Sequence, residues 1–210
     1  EDAILARVNK KFSVNLRSYI DAKRFYAEML STFGWVTRMV APITALAHSM
    51  LGRALSKPGT LAFTGIDHAW RFLLGRTDIS LNFVSSRIFD YRNNDLDRYC
   101  MSADASFADD ELTRKSQGGW CGFFAAVRTF DTYYSAKSQR VATSTYHAET
   151  IFAASAAKQA TYVRNFLLWL RLTHDEPISL GIDNQSTVLH AASPVRKWST
   201  QRKHFDIDCH

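Results

Sequence analysis

One stretch constrains the fold more than any other: Arg98-Tyr99-Cys100-Met101-Ser102-Ala103-Asp104-Ala105-Ser106-Phe107. Tyr99, Met101 and Ala103 alternate with Cys100, Ser102 and Asp104. A period of two marks a pleated strand, whose successive side chains point to opposite faces. The strand is expected to end on the Asp104 carboxylate. Two further acids stand where a fold can bring them to it. Glu149 lies early in an expected helix, within Thr145-Tyr146-His147-Ala148-Glu149-Thr150. Asp183 closes the apolar strand Ile178-Ser179-Leu180-Gly181-Ile182-Asp183. Strand-end Asp, helix Glu and strand-end Asp form the arrangement a two-metal nuclease requires. Asp and Glu number 20 in the chain, so a chance triplet of solvent-facing acids is the competing reading.

The 210 residues suffice for one large domain or two small ones. A hydrophobic content of 46%, with 13% aromatics, supports a packed core and excludes a disordered chain. The formal charge of +6 favours an anionic partner, nucleic acid being the plainest. Cys100, Cys121 and Cys209 are odd in number and widely spaced. They imply neither a disulfide framework nor a zinc site, and they suit a reducing compartment. No run of about 18 apolar residues is present, so no membrane-spanning helix is expected. Glu1-Asp2-Ala3-Ile4 carries no basic, apolar leader, and a start without Met reads as a processed or excised piece. The compartment expected is intracellular: cytoplasm, virus-like particle or nucleus, or an organelle if Glu1 follows a removed targeting peptide.

The first half reads as helical. Tyr19, Phe25, Tyr26, Met29, Leu30 and Phe33 recur at helical spacing. Pro42 suits the first turn of a helix over Ile43 to Leu55, which Ser56-Lys57-Pro58-Gly59 ends. A further helix runs from about Leu61 to Leu74, with Trp70, Phe72, Leu73 and Leu74 facing a core and Gly75 stopping it. Ile79 to Val84 reads as a short strand, and the polar turn Arg92-Asn93-Asn94-Asp95 marks the boundary between a segment 1–95 and a domain 96–210. The second half changes character. After the Asp104 strand come a charged loop from Asp109 to Lys115, a strand from Gly119 to Val127 and, past a turn at Arg128-Thr129, a strand from Phe130 to Ser135. Short connections make these an antiparallel meander. Ser144 or Thr145 caps a helix bearing Ile151, Phe152, Ala154 and Ala157, and Tyr162 to Leu172 forms a second helical run. The Asp183 strand and a helix from Gln185 to Ala192 follow. The fold class is α/β: a mixed sheet, antiparallel meander plus one parallel strand, flanked by helices and preceded by a mainly helical segment.

Magnesium prefers oxygen ligands and few of them from protein, which leaves room for water and phosphate. Two such ions about 4 Å apart can drive phosphodiester hydrolysis. In that reading Asp104 bridges both ions, Glu149 and Asp183 hold the second, and the cofactor is Mg²⁺ or Mn²⁺. Phe107-Ala108-Asp109-Asp110 is reminiscent of a polymerase palm turn. The palm's other catalytic Asp needs its own upstream strand, which a helical first half does not supply, so these acids read as a charged loop. Ser135-Ala136-Lys137-Ser138-Gln139-Arg140 could contact phosphates or could be a solvated loop. Arg196-Lys197-Trp198-Ser199-Thr200-Gln201-Arg202-Lys203-His204 mixes charge with one aromatic, which suits a backbone-tracking surface and equally a solvated face. His204 and His210, with Asp206 and Asp208 between them, share a helix face too poorly for a metal site.

These residues resemble the connection segment and RNase H domain of copia-type retrotransposon polyproteins, which lie downstream of the reverse transcriptase palm. The family's S-D-A-D-W-A-G-D is similar to Ala103-Asp104-Ala105-Ser106-Phe107-Ala108-Asp109-Asp110, and its R-K-S-x-x-G-Y to Arg114-Lys115-Ser116-Gln117-Gly118-Gly119-Trp120. Its W-x-S-K-K-Q resembles Tyr133-Tyr134-Ser135-Ala136-Lys137-Ser138-Gln139, and its S-S-T-E-A-E-Y resembles Thr143-Ser144-Thr145-Tyr146-His147-Ala148-Glu149-Thr150. Its D-N-x-S-A matches Asp183-Asn184-Gln185-Ser186-Thr187, and its K-H-I-D-x-x-x-H matches Lys203-His204-Phe205-Asp206-Ile207-Asp208-Cys209-His210. Upstream, its S-K-P and the Gly of L-K-G-T recur at the same spacing as Ser56-Lys57-Pro58 and Gly75.

The resemblance implies an RNase H-like fold and metal-dependent cleavage of the RNA strand of RNA–DNA hybrids. Asp104, Glu149 and Asp183 match the family's first three catalytic acids. Lys115, Lys137, Gln139, Asn184, Lys203 and His204 within the matched motifs, and Arg202 in the basic stretch just before the last of them, are candidate nucleic-acid contacts. The implied partners are the hybrid and the rest of a reverse transcriptase. The chain departs from the pattern at Ser106, which replaces an Asp, and at Pro42-Ile43, which replaces Pro-Asp. It ends before the last strand, the last helix and the fourth acid that the family places beyond its K-H-I-D motif. These departures keep open a second expectation: a domesticated, inactive copy acting as a scaffold among protein subunits of a larger assembly.

Overall fold

The computed structural model describes residues 1–76, 78, 99–124, 130–171 and 177–192. The chain divides into two compact units, Glu1–Phe83 and Val84–His210. The strand expected over Ile79 to Val84, the boundary turn at Arg92 to Asp95 and the turn at Arg128-Thr129 lie outside the described residues.

The first unit is helical: α1 (Asp2–Phe12), α2 (Tyr19–Met39), a 3-10 turn (Pro42–Thr44), α3 (Ala45–Gly52) and α4 (Thr60–Gly75). Ser18 caps α2, its hydroxyl accepting from the Asp21 amide at 3.2 Å. Pro42 enters the 3-10 turn rather than an α-helix, and α3 starts three residues later. Tyr26, Leu30 and Phe33 line one face of α2 and are buried against Phe63 and Ile66 of α4. The rings of Tyr26 and Phe63 meet edge to face at 5.2 Å. The Tyr26 hydroxyl donates to the Leu51 carbonyl at 2.8 Å and ties α3 to this core. Trp70 and Leu73 pack on the core as expected, but Leu74 is 72% exposed. Its step around the helix turns it outward.

The second unit is an α/β layer. Strands β1 (Tyr99–Ser106), β2 (Gln117–Phe124), β3 (Phe130–Lys137) and β4 (Ser179–Ile182) form a mixed sheet in the order β3-β2-β1-β4. The first three make an antiparallel meander, and β4 lies parallel to β1. Helix α5 (Thr145–Trp169) covers one face, and α6 (Gln185–Ala192) follows β4. Tyr99, Met101, Ala103 and Ala105 are buried while Ser102, Asp104 and Ser106 are exposed, the alternation expected of β1.

Three expectations change. First, β1 continues past Asp104 to Ser106, and β3 continues to Lys137 rather than stopping at Ser135. Both extensions are made by pairing with β2, whose first residue Gln117 stands opposite Ser106 on one side and Lys137 on the other. Second, the two helical runs after Ser144 are one 25-residue helix. Third, the buried positions of that helix include Phe152, Ala153, Ala156 and Ala160, whereas Ala154 and Ala157 face outward. Among the described residues no helix is long and apolar enough to cross a membrane.

Candidate metal centre

The register of the two parallel strands builds half of the site. Ala103 pairs with Ile182, the last residue of β4. Asp104 and Asp183 are each one residue further on, so they sit side by side where neighbouring strands run about 4.8 Å apart. Glu149 comes from the second turn of α5. The Ser144 hydroxyl starts that helix by accepting from the His147 amide at 3.1 Å. Helix α5 then lies on β1 through Ala148 and Phe152, which bury with Ala105. Asp104, Glu149 and Asp183 each offer a carboxylate oxygen, and these three atoms all lie within 4.8 Å of one another.

The electrostatics are one-sided. Glu149 is only 6% exposed, whereas both aspartates are exposed. Burial is the main influence raising the Glu149 carboxyl above the ordinary glutamate range; the charges of Asp104 and Asp183 add to it, and a hydrogen bond from the Ala105 amide opposes it. Its Oε2 is buried and has no hydrogen-bond partner. Asp104 Oδ1 accepts from the Ala105 amide at 2.7 Å. Two carboxylates at such a distance repel by on the order of 3 kcal/mol in a medium of effective dielectric 20. A divalent cation held there would offset that repulsion and give the orphaned oxygen a partner. Three hard oxygen donors, with no sulfur or imidazole in the set, suit Mg²⁺ or Mn²⁺ and do not suit a soft metal. The residues therefore fit a divalent ion, and the acidic triad could hold one.

The other candidate residues fare differently. Asn184 acts locally, its Oδ1 accepting from the Thr187 amide at 3.0 Å at the start of α6. Lys137 is engaged by Asp110, Nζ to Oδ2 at 2.8 Å. Lys115 is half-buried, and its carbonyl accepts from the Asp110 amide at 3.1 Å. Gln139 is exposed just past β3. Arg202, Lys203 and His204 lie outside the described residues, as do Asp206, Asp208 and His210.

Asp110, read from sequence only as part of a charged loop, and Ser116, noted only within a matched motif, organise the β1–β2 loop. Asp110 Oδ1 accepts from the amides of Leu112 (3.2 Å) and Thr113 (3.0 Å). These contacts, with that from Lys137 first among them, hold its carboxyl well below the usual carboxylate range. The buried Ser116 accepts from the Ala108 amide through its hydroxyl, 3.1 Å, and from the Ser138 amide through its carbonyl, 2.7 Å. An Asp whose side chain meets amides two and three residues on is a turn signature that the sequence carries. Thr187 is buried, and its Oγ1 lacks a hydrogen-bond partner; nothing in its sequence context signals this. No protein-family model matches this chain, and no solved structure matches it significantly.

Proposed function

We propose that this chain is an RNase H-like, metal-dependent endonuclease unit that cleaves the RNA strand of RNA–DNA hybrids, akin to the corresponding region of copia-type polyproteins. One observation carries the reading: three carboxylates from β1, α5 and the end of β4 converge within 4.8 Å, with the Glu149 oxygen buried and unpartnered. The order of strands, with β1 central and parallel to β4, supports it, because open α/β sheets bind ligands beyond the carboxyl ends of their strands.

Bound Mg²⁺ or Mn²⁺ would supply Lewis acidity to the scissile phosphate and to water. The chain's own residues have simpler tasks. Asp104 and Asp183 present oxygens from two rigid strands, which keeps their spacing under load. Glu149 adds the third oxygen from a helix seated on the sheet, and its burial excludes water from one side of the site. The basic excess of the chain favours approach of a polyanion. Discrimination between RNA and DNA in a hybrid would rest on the 2′-hydroxyl.

Incubation of the chain with a labelled RNA–DNA hybrid and Mg²⁺ or Mn²⁺ tests this. Cleavage confined to the RNA strand, lost on the order of a hundredfold or more in Asp104→Asn, is the expected result. Cleavage that survives Asp104→Asn removes that acid from the mechanism. The second reading, an inactive scaffold, draws on α5's outer face. Tyr162, Phe166 and Trp169 lie there exposed at helical spacing, Trp169 by 77%. No cleavage, together with burial of those rings in a protein assembly, would decide for it.

A further inference from the structure

We propose that Gly118, Phe152, Ala148 and Ala105 form a seat that sets how closely the N-terminal end of α5 approaches the sheet, and that this seat holds the Glu149 carboxylate against Asp104 and Asp183. The inference rests on the metal-site reading of the triad and does not depend on what the site cleaves.

The register shows why the seat matters. Asp104 pairs with Gly119, and Ala105 pairs with Gly118. Ala148 and Phe152 are four residues apart, hence on one face of α5. They bury with Ala105 and Ala142, Ala148 completely. Glu149 follows Ala148 by a single step of about 100° around the helix axis. Asp104 and Glu149 are thus each the chain neighbour of one member of the Ala105–Ala148 contact.

The contact is close because Gly118 has no side chain. A Cβ there would overlap the Phe152 ring, standing 2.6 Å from its Cε2 and 2.7 Å from its Cγ. Cγ is the end of the ring joined to Cβ, so turning the ring about its own axis does not relieve the clash. Phe152 is buried with Ala105, Ala142 and Ala148, so in the proposed seat the strain passes to the helix. Packing in protein interiors leaves no slack for such a shift.

The rest of α5 is anchored independently. Ala156, Ala160, Val163 and Leu167 bury against Tyr99, Met101 and Ala103. Trp120 Nε1 donates to Ser155 Oγ at 3.0 Å. A methyl at Gly118 therefore pries up one end of the helix while the other end stays attached. A ligand set that must stay within a few ångströms is the property most exposed to that tilt.

The same strand supplies a control. A Cβ at Gly122 would crowd Tyr99 Oη and Thr132 Oγ1, away from α5's first turns. Gly122→Ala should strain the sheet without tilting the ligand-bearing end of the helix.

The experiment titrates Mn²⁺ into the full chain and into Gly118→Ala, Gly122→Ala, Phe152→Ala and the Gly118→Ala/Phe152→Ala pair, and reads amide exchange along α5 in each. Gly118→Ala is expected to weaken Mn²⁺ binding about tenfold, the scale of effects on ligand support. It is also expected to speed exchange over residues 145–152 but not over 156–167. Gly122→Ala should leave Mn²⁺ affinity within about twofold, as distant sites act independently. The paired variant should bind Mn²⁺ better than Gly118→Ala alone, because Phe152→Ala removes both the ring and the Cγ that collide. Equal loss in both glycine variants, or no loss in Gly118→Ala, overturns the proposal. If Gly118→Ala does not fold, Phe152→Ala alone decides: local loosening with weaker Mn²⁺ supports the seat, and unchanged affinity overturns it. Should the unaltered chain bind no Mn²⁺, the metal reading falls. The exchange pattern then judges the seat, local loosening supporting it and uniform loosening refuting it.

Discussion

Asp67 and Glu149 are both carboxylates on helices, one in each unit, and their surroundings oppose each other. Asp67 of α4 meets Lys11 Nζ at 3.1 Å and Arg71 Nε at 3.0 Å. Burial alone would push its carboxyl up, yet the hydrogen bonds and charges of those two cations hold it below the usual range. Glu149 of α5 meets two further carboxylates, and burial and their charges push it up. No cation among the described residues enters its titration. The first acid is a finished interaction. The second is surrounded by like charge, and with Asp104 and Asp183 it could hold a metal ion. The lesson is that a carboxylate's role is read from its neighbours, since the two side chains carry the same chemistry.

The sharpest way to break this comparison is to add the cation. Mg²⁺ or Mn²⁺ at about 100 times its Kd should stabilise the sheet unit by about 2.7 kcal/mol, a cation binding only the folded form. Amide exchange should slow in α5 and β1, remain unchanged in α2 and α4, and not respond at all in Asp104→Asn. Equal slowing in both units would mean the ion acts elsewhere.

Substitution tests the same contrast at a smaller scale. Without divalent ions at neutral pH, Glu149→Gln removes a repelled charge and should stabilise the sheet unit by roughly 1 kcal/mol. Asp67→Asn removes a paired charge and should destabilise the helical unit by about 0.5 kcal/mol, the usual scale for a partly exposed ion pair. Thermal unfolding with exchange resolved by unit checks both. Opposite signs sustain the comparison, and matching signs end it.

The dependence on pH is the finest test. Glu149 has a folded value above its unfolded one, near 4.3, so in cation-free buffer its contribution to stability is fully present below that value and is lost as pH rises through the raised one. Asp67 has a folded value below its unfolded one, near 3.9, so its contribution is present above that value and is lost as pH falls through the lowered one. Exchange at α5 and α4 should therefore move in opposite directions across the acidic range. Divalent cation should erase the Glu149 trend and leave the Asp67 trend alone.

Much of the fold was legible where local chemistry repeats. The alternation from Tyr99 to Asp104, the cap at Ser144, the run of aromatics on α2 and the stop at Gly75 each act within a few residues. Helix α5 was misread as two runs for a physical reason. Its middle is Ala153, Ser155, Ala156, Lys158 and Ala160, small or polar residues that raise little apolar signal. Small residues are what a helix needs to lie close on a sheet, so the signal was weakest where the packing is tightest. Lys137 looked like a phosphate contact because its basic neighbours suggested one, whereas Asp110 engages it across the loop.

From the sequence alone came the three acids, the elements that carry them and the α/β layering, since period, caps and turns are local properties of the chain. A parallel fourth strand beside the first was also expected, but only the tertiary structure decided the register that sets Asp183 next to Asp104, and that α5 settles over Gly118 with Glu149 turned into the pair. Those choices depend on contacts between residues far apart along the chain, where ring, methyl and bare backbone must fit one another, and such fits leave no periodic trace in the order of the amino acids.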